Sequence, residues 1–142
     1  MGSSERMDPH QLRNLLNELK VANLATVRPT GAPHVVPVSF VLSDWHLYFT
    51  TRRDSTKCRN IVKNNKVALS ILGQKYVVVI EGTADIRGPL EESMSPELSK
   101  AFLRKYFRER RKGPNTVLVH VKPTRILSGK FGQRQRPLKL QI

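Results

Sequence analysis

The chain has 142 residues, 39% of them hydrophobic, with 25 Lys and Arg against 11 Asp and Glu for a formal net charge of +14. That length builds one ordinary domain, and no apolar run approaches the roughly 20 residues of a bilayer span or the core of a secretory leader, so a soluble, cytoplasmic protein is expected. The single cysteine, Cys58, excludes an internal disulfide, His10, His34, His46 and His120 are too scattered for a zinc site, and the positive field must attract an anion, whether nucleic acid or a phosphorylated ligand.

Met1 to Met7 is polar and expected to be mobile. Asp8-Pro9 couples a cap to a proline at the first helical position, and Leu12, Leu15, Leu16 and Leu19 follow at helical spacing, which predicts a helix over 9–20. Asn23 to Val27 and His34 to Val41 read as strands joined through Arg28-Pro29-Thr30-Gly31-Ala32, a hairpin turn. Pro37 cannot donate to a ladder, so it marks an edge, a bulge or backbone facing a ligand. Ser43-Asp44 turns the chain into a third strand, His46 to Thr51, and a short helix from about Ser55 to Lys63 stops at Asn64-Asn65. Lys66 to Leu72 and Tyr76 to Arg87 are strands rich in Val and Ile, with Gly73-Gln74 as a turn and Gly82 as a bend or bulge. Ser95-Pro96-Glu97 opens a helix to about Lys112, in which Leu98, Ala101, Phe102, Lys105 and Phe107 form a loose apolar stripe. Thr116 to Val121 is the last strand, extendable past Pro123 to Leu127. Six short strands joined mostly by tight turns predict a mainly β domain, an antiparallel barrel with peripheral helices. A doubly wound sheet would need a helix after nearly every strand, and the first three leave no room for one.

The segment from Tyr48 to Ile61 concentrates the chemistry, because an aromatic strand there runs into hydroxyls, cations and a helix start. Ser55 or Asp54 can cap that helix, and an anion at its N-terminus would be held by backbone N–H groups together with Lys57 and Arg52 or Arg53. The competing reading is a solvated, Arg-rich turn. The basic residues fall into three groups, Arg52 to Lys66, Lys100 to Lys112 and Arg125 to Lys139, and the helical group reads first as a solvated face. Cys58 suits a small buried helix position, Asn60 a bond to nearby backbone, and Trp45 a turn where it packs against a partner or stacks on a ring.

Two stretches carry a family resemblance: Leu24 to Val38, and Leu47-Tyr48-Phe49-Thr50-Thr51 followed by Lys57, Arg59-Asn60-Ile61 and Asn64 to Leu69, with Glu81-Gly82-Thr83-Ala84 further on. The chain resembles the pyridoxamine 5′-phosphate oxidase-like superfamily over about residues 10–128. The resemblance implies a six-stranded antiparallel split β-barrel that forms a homodimer, with one flavin-type cofactor per subunit at the interface. It implies a single domain, with a flexible 1–7, a barrel with its helices over 8–128 and a basic tail over 129–142. The cofactor, FMN or the deazaflavin coenzyme F-420, would meet Phe49, Thr50, Thr51, Arg52, Ser55, Thr56 and Lys57 at its phosphate end. His34, Val35, Val36, Pro37, Val38 and Ser39 would lie along its ring. Pyridoxamine phosphate oxidases carry arginine where His34 stands and a C-terminal Arg and His segment that Gly129 to Pro137 does not match, so vitamin B6 oxidation is not implied. The implied activity is hydride transfer between cofactor and a small-molecule substrate, with no catalytic side chain, metal or membrane assigned. The competing expectations are a flavin or haem carrier or sensor on the same fold, and a basic nucleic-acid-binding barrel, which an aromatic content of 6% equips poorly.

Overall fold

A computed structural model describes residues 7–106 and 113–138 of the chain. Helix α1, Pro9–Glu18, starts at Asp8, whose carboxylate accepts from the Gln11 N–H while the Gln11 side chain accepts from the Asp8 N–H, a reciprocal capping box. Its buried Leu12 and Leu16 join the main core. Met7, placed by sequence in the mobile leader, is buried in that core, and the rest of the leader lies outside the described residues.

Strands β1 (Val21–Val27), β2 (Pro33–Ser43) and β3 (His46–Arg52) run as consecutive antiparallel hairpins. Asp44 and Trp45 connect β2 to β3 with φ of 50° and 65°, the pair of left-handed residues that a two-residue hairpin matching strand twist requires. Helix α2 (Thr56–Lys63) leads to β4 (Lys66–Leu72) and the long β5 (Tyr76–Pro89). The next helices are α3 (Leu90–Ser93) and α4 (Pro96–Tyr106), so the single helix expected from Ser95 to Lys112 is preceded by an extra turn, and Phe107 to Lys112 lie outside the described residues. Strand β6 (Thr116–Lys130) runs beyond the Leu127 expected of it, and the unforeseen two-residue β7 (Arg136–Pro137) pairs with its end.

The strand order β3-β2-β1-β4-β5-β6 closes through a β3–β6 pairing into a six-stranded antiparallel barrel, with β7 outside it. Gly82 sits at a register shift between β5 and β6, where any Cβ would collide with the Lys122 carbonyl, so the bulge read from sequence is present. Inward positions alternate along each strand, with Leu24, Phe40, Phe49, Leu69, Ile80 and Val119 fully or nearly fully buried. Helix α1 packs where β1 starts, since Leu15 and Leu19 touch Gly73 after β4, whereas α2 inserts Cys58 and Ile61 near Thr26 at the other end. A second apolar cluster lies outside the barrel, where Leu90, Leu98 and Phe102 of α3 and α4 cover Val41 and Leu118.

Candidate cofactor site

The β2–β3 ladder ends at Phe40 opposite Phe49. Beyond that pair β3 follows β6 as far as Arg52 opposite Thr116, while Pro33 to Ser39 pair with β1 alone. The two strands therefore part, and the barrel is split between the Val35 to Ser39 backbone and Thr50 to Arg52. Pro37 occupies this half-open stretch, the kind of edge position its missing N–H permits.

Pairing fixes which side chains can reach a ligand. His34, Val36 and Val38 lie opposite Thr26, Leu24 and Ala22 and share their inward face. Val35, Pro37 and Ser39 point outward, and Val35 is 60% exposed. Phe49 is fully buried in the core, so only its backbone can serve a cofactor. Thr51 shares the inward face of Leu47 and Phe49, whereas Thr50 shares the outer face of Tyr48. The His34 side chain is half-buried, with Nδ1 out of water and without a hydrogen-bond partner.

Helix α2 begins within four residues of the end of β3. Ser55 is its N-cap, with Oγ accepting from the Cys58 N–H at 3.3 Å. Its buried face is pinned by Cys58, Ile61 and Asn60, and the Asn60 Nδ2 donates to Thr26 Oγ1 at 3.0 Å. Asn60 thus ties the helix to β1 through a side chain rather than to loop backbone. Cys58 is buried, as its helix position suggested. Trp45 packs at the core edge with the Arg13 guanidinium 5.3 Å from its ring centroid.

Lys57 is half-buried in the first turn of α2, and burial pushes its ammonium below the ordinary lysine value. Among the described residues it has neither hydrogen bond nor ion pair. Arg52, by contrast, bonds Asp54 at 3.2 Å, and that hydrogen bond holds the exposed Asp54 carboxyl below its usual range. Arg59 donates to the Asp54 carbonyl and to Thr56 Oγ1. Of the paired arginines, Arg53 has the uncommitted guanidinium, and it lines a groove of about 830 Å³ with Arg28, Thr56, Arg59, Lys63 and Ile86. Arg28 and Lys63 come from the β1–β2 turn and the end of α2 and converge only in the fold, so sequence reading missed them. Spacing carried no signal for that convergence.

A half-open barrel, a capped helix N-terminus and a half-buried lysine without an ion pair among the described residues thus lie close together in the chain from β2 to α2. The family model described as pyridoxamine 5′-phosphate oxidase matches residues 8–128. The chain belongs to that family. Among solved structures, an F420 reductase is 27% identical, with 80% of this chain and 94% of that one covered at a TM-score of 0.65. Rv2991 of Mycobacterium tuberculosis is 20% identical, covering 89% of this chain and 86% of that one at a TM-score of 0.72. A haem-binding protein of Mycobacterium smegmatis is 17% identical at a TM-score of 0.66, covering 88% of this chain and 55% of that one. The last two likenesses show the fold alone. No curated protein matches the chain. Solved structures that share the fold thus include one named as an F420 reductase and one named as a haem-binding protein. Among the described residues no helix is long and apolar enough to cross a membrane, and no group of three His, Cys, Asp or Glu is placed to hold a metal.

Proposed function

We propose that this chain is a cytoplasmic, homodimeric oxidoreductase that binds a flavin-type cofactor, FMN or coenzyme F-420, in the split between β2 and β3. The observation that carries the proposal is Lys57, a half-buried ammonium without a counter-ion at a helix N-terminus. Such a charge is costly unless an anion reaches it, and a phosphate there also meets the free N–H groups of α2. The residues fit a phosphorylated cofactor: Lys57, Ser55, Thr56 and Thr50 would hold its phosphate, and the half-open backbone of Val35 to Ser39 would meet its polar ring edge.

When bound, such a cofactor supplies hydride transfer. The chain contributes orientation and exclusion of water, with Val35 and Pro37 as an apolar outer wall and the Ser39 and Val38 backbone as polar contacts. The groove at Arg28, Arg53, Arg59 and Lys63 suits a long anionic tail, which favours F-420 over FMN. The similarity to an F420 reductase supports the same choice. Calorimetric titration of the cofactor-free full chain with each cofactor at two salt concentrations tests the reading. Saturable F-420 binding that weakens with salt supports it, tight FMN binding with little salt dependence selects the other cofactor, and no binding of either at tens of micromolar overturns it.

A further inference from the structure

A second polar assembly lies on the outer face of β3, β6 and β5, with no counterpart in the cofactor cleft. Tyr48 stands opposite His120, and His120 opposite Asp85. Both the Tyr48 and the His46 rings stack on the His120 ring, with centroids 4.9 and 4.8 Å away. His120, only 5% exposed, has its Nε2 2.6 Å from His46 Nδ1. Its Nδ1 lies 2.9 Å from Asp85 Oδ1 and 2.8 Å from Arg87 Nη2. Arg87 Nε also bonds Asp85 Oδ2 at 2.8 Å.

The two partners of Nδ1 make opposite demands. Arg87 can donate only to a bare Nδ1, whereas Asp85 can accept only from a protonated one. The close His46 contact needs one proton between the rings, and burial above all pushes His46 below the ordinary histidine value. With Arg87 donating to a bare Nδ1, the ring proton of His120 sits on Nε2 and is donated to His46. If Arg87 is drawn away, Nδ1 can take a proton from solvent and donate it to Asp85, which has lost a cation and now stabilises an imidazolium. The other charges facing the pair are Asp44, which favours a proton on His46, and Lys122, which opposes it.

What could draw Arg87 away lies beside it. A pocket of about 190 Å³ is lined by Arg87, Tyr48, Ser43, Ser93, Ser95 and the apolar Leu98 and Leu118. No acidic residue lines it, and the Tyr48 and Ser43 hydroxyls make no hydrogen bond among the described residues. Ser93 already donates to the Arg87 carbonyl and Ser95 accepts from the Leu98 N–H, which leaves Arg87 and two hydroxyls to meet a ligand. The space is too small for a flavin, since sites for ligands of that size begin near about 300 Å³. It shares no residue with the split between β2 and β3.

We infer that this pocket is a second ligand site, taking a small oxyanion such as a carboxylate or phosphate on Arg87 and coupling its binding to uptake of one proton by His120. The inference is independent of cofactor chemistry. The experiment is ring-nitrogen NMR of the full chain, titrated separately with inorganic phosphate and with acetate between pH 6 and 8. Expected is a saturable shift of the His120 ring toward the imidazolium pattern with at least one anion, tighter binding at lower pH, and weakening of about tenfold or more in Arg87→Gln. Lys57→Met should leave that response unchanged, which separates this pocket from the cofactor cleft. A His120 ring unmoved by either anion at about 20 mM, or one that responds equally in Arg87→Gln, overturns the inference. If Arg87→Gln does not fold, Tyr48→Phe, which removes a hydroxyl from the pocket and keeps the ring stack, must weaken the response, and an unchanged response refutes the site.

Discussion

Replacing Lys57 with methionine separates a binding lysine from a structural one, because the two roles predict opposite signs. In the structure Lys57 stabilises nothing visible: it is half-buried, lacks a hydrogen bond or ion pair among the described residues, and burial lowers its affinity for a proton. Its folded value lies below the unfolded one, so the unfolded chain binds more protons between them and stability rises as pH climbs through that window. The cost of the half-buried charge is therefore present below that window and fades as pH climbs through it. Methionine has a similar shape and no charge, so Lys57→Met should leave the cofactor-free protein equally stable or raise its stability by up to about 1 kcal/mol. The cofactor should lose a charge-assisted hydrogen bond worth about 1.5–3 kcal/mol, or about 10- to 150-fold in Kd. Urea denaturation of cofactor-free protein and calorimetry with FMN and F-420 read the two effects side by side. A variant destabilised by more than about 1 kcal/mol that binds cofactor as tightly as the parent would refute the reasoning.

Gly82→Ala forces a methyl group against the Lys122 carbonyl at the β5–β6 bulge and should cost at least about 2 kcal/mol; a thermal midpoint matching the parent's would show that the bulge relaxes freely. Asn60→Ala leaves the buried Thr26 hydroxyl unpartnered and should cost about 1–3 kcal/mol in urea denaturation while loosening cofactor binding, because α2 loses its tie to β1; unchanged stability would place that bond outside the folding energetics. Burial, then Lys20, pushes Lys105 down to about 7, against the Leu16 carbonyl at 3.0 Å and the Phe40 ring face, both of which favour the charge. Its folded value lies below the ordinary 10.5, so stability should rise with pH across that interval, and Lys105→Met should flatten the rise in denaturation curves near about pH 7 and about pH 9.

The barrel was legible because local signals agreed: the Asp8 cap, the Gly73 turn, the Gly82 bulge and the alternating apolar residues of β1 and β4 each specify one conformation. The extension of β6 past Leu127 was not, since Ser128, Gly129 and Lys130 carry no strand pattern, and only pairing with Val78, Val77 and Tyr76 of β5 continues the strand there. The cap and first turn of α2 could be read in Ser55 and Lys57, which are neighbours in sequence. That Arg52 rather than Arg53 pairs with Asp54 could not, because it depends on the turn that leads into α2. Nor could the His46, His120, Asp85 and Arg87 assembly, whose members come from three strands and meet only through the barrel's register.

The placement of charge also bears on the readings that +14 alone left open. Arg52, Arg87 and Arg125 are each within ion-pair distance of an acid, and those pairs are exposed enough to contribute little beyond local neutralisation. Arg28, Arg53 and Lys63 have no such partner among the described residues, and they surround a single concave groove beside α2. A nucleic-acid backbone is tracked by cations spread along a stripe, with aromatic side chains to stack the bases. These three cations line a concavity of about 830 Å³ whose remaining walls include Pro29, Val62 and Ile86, with no aromatic ring among them. The occupant proposed for that groove is one elongated small molecule with several negative charges. Its binding should weaken with salt according to the few charges it meets, rather than with the steep slope of a long polyanion.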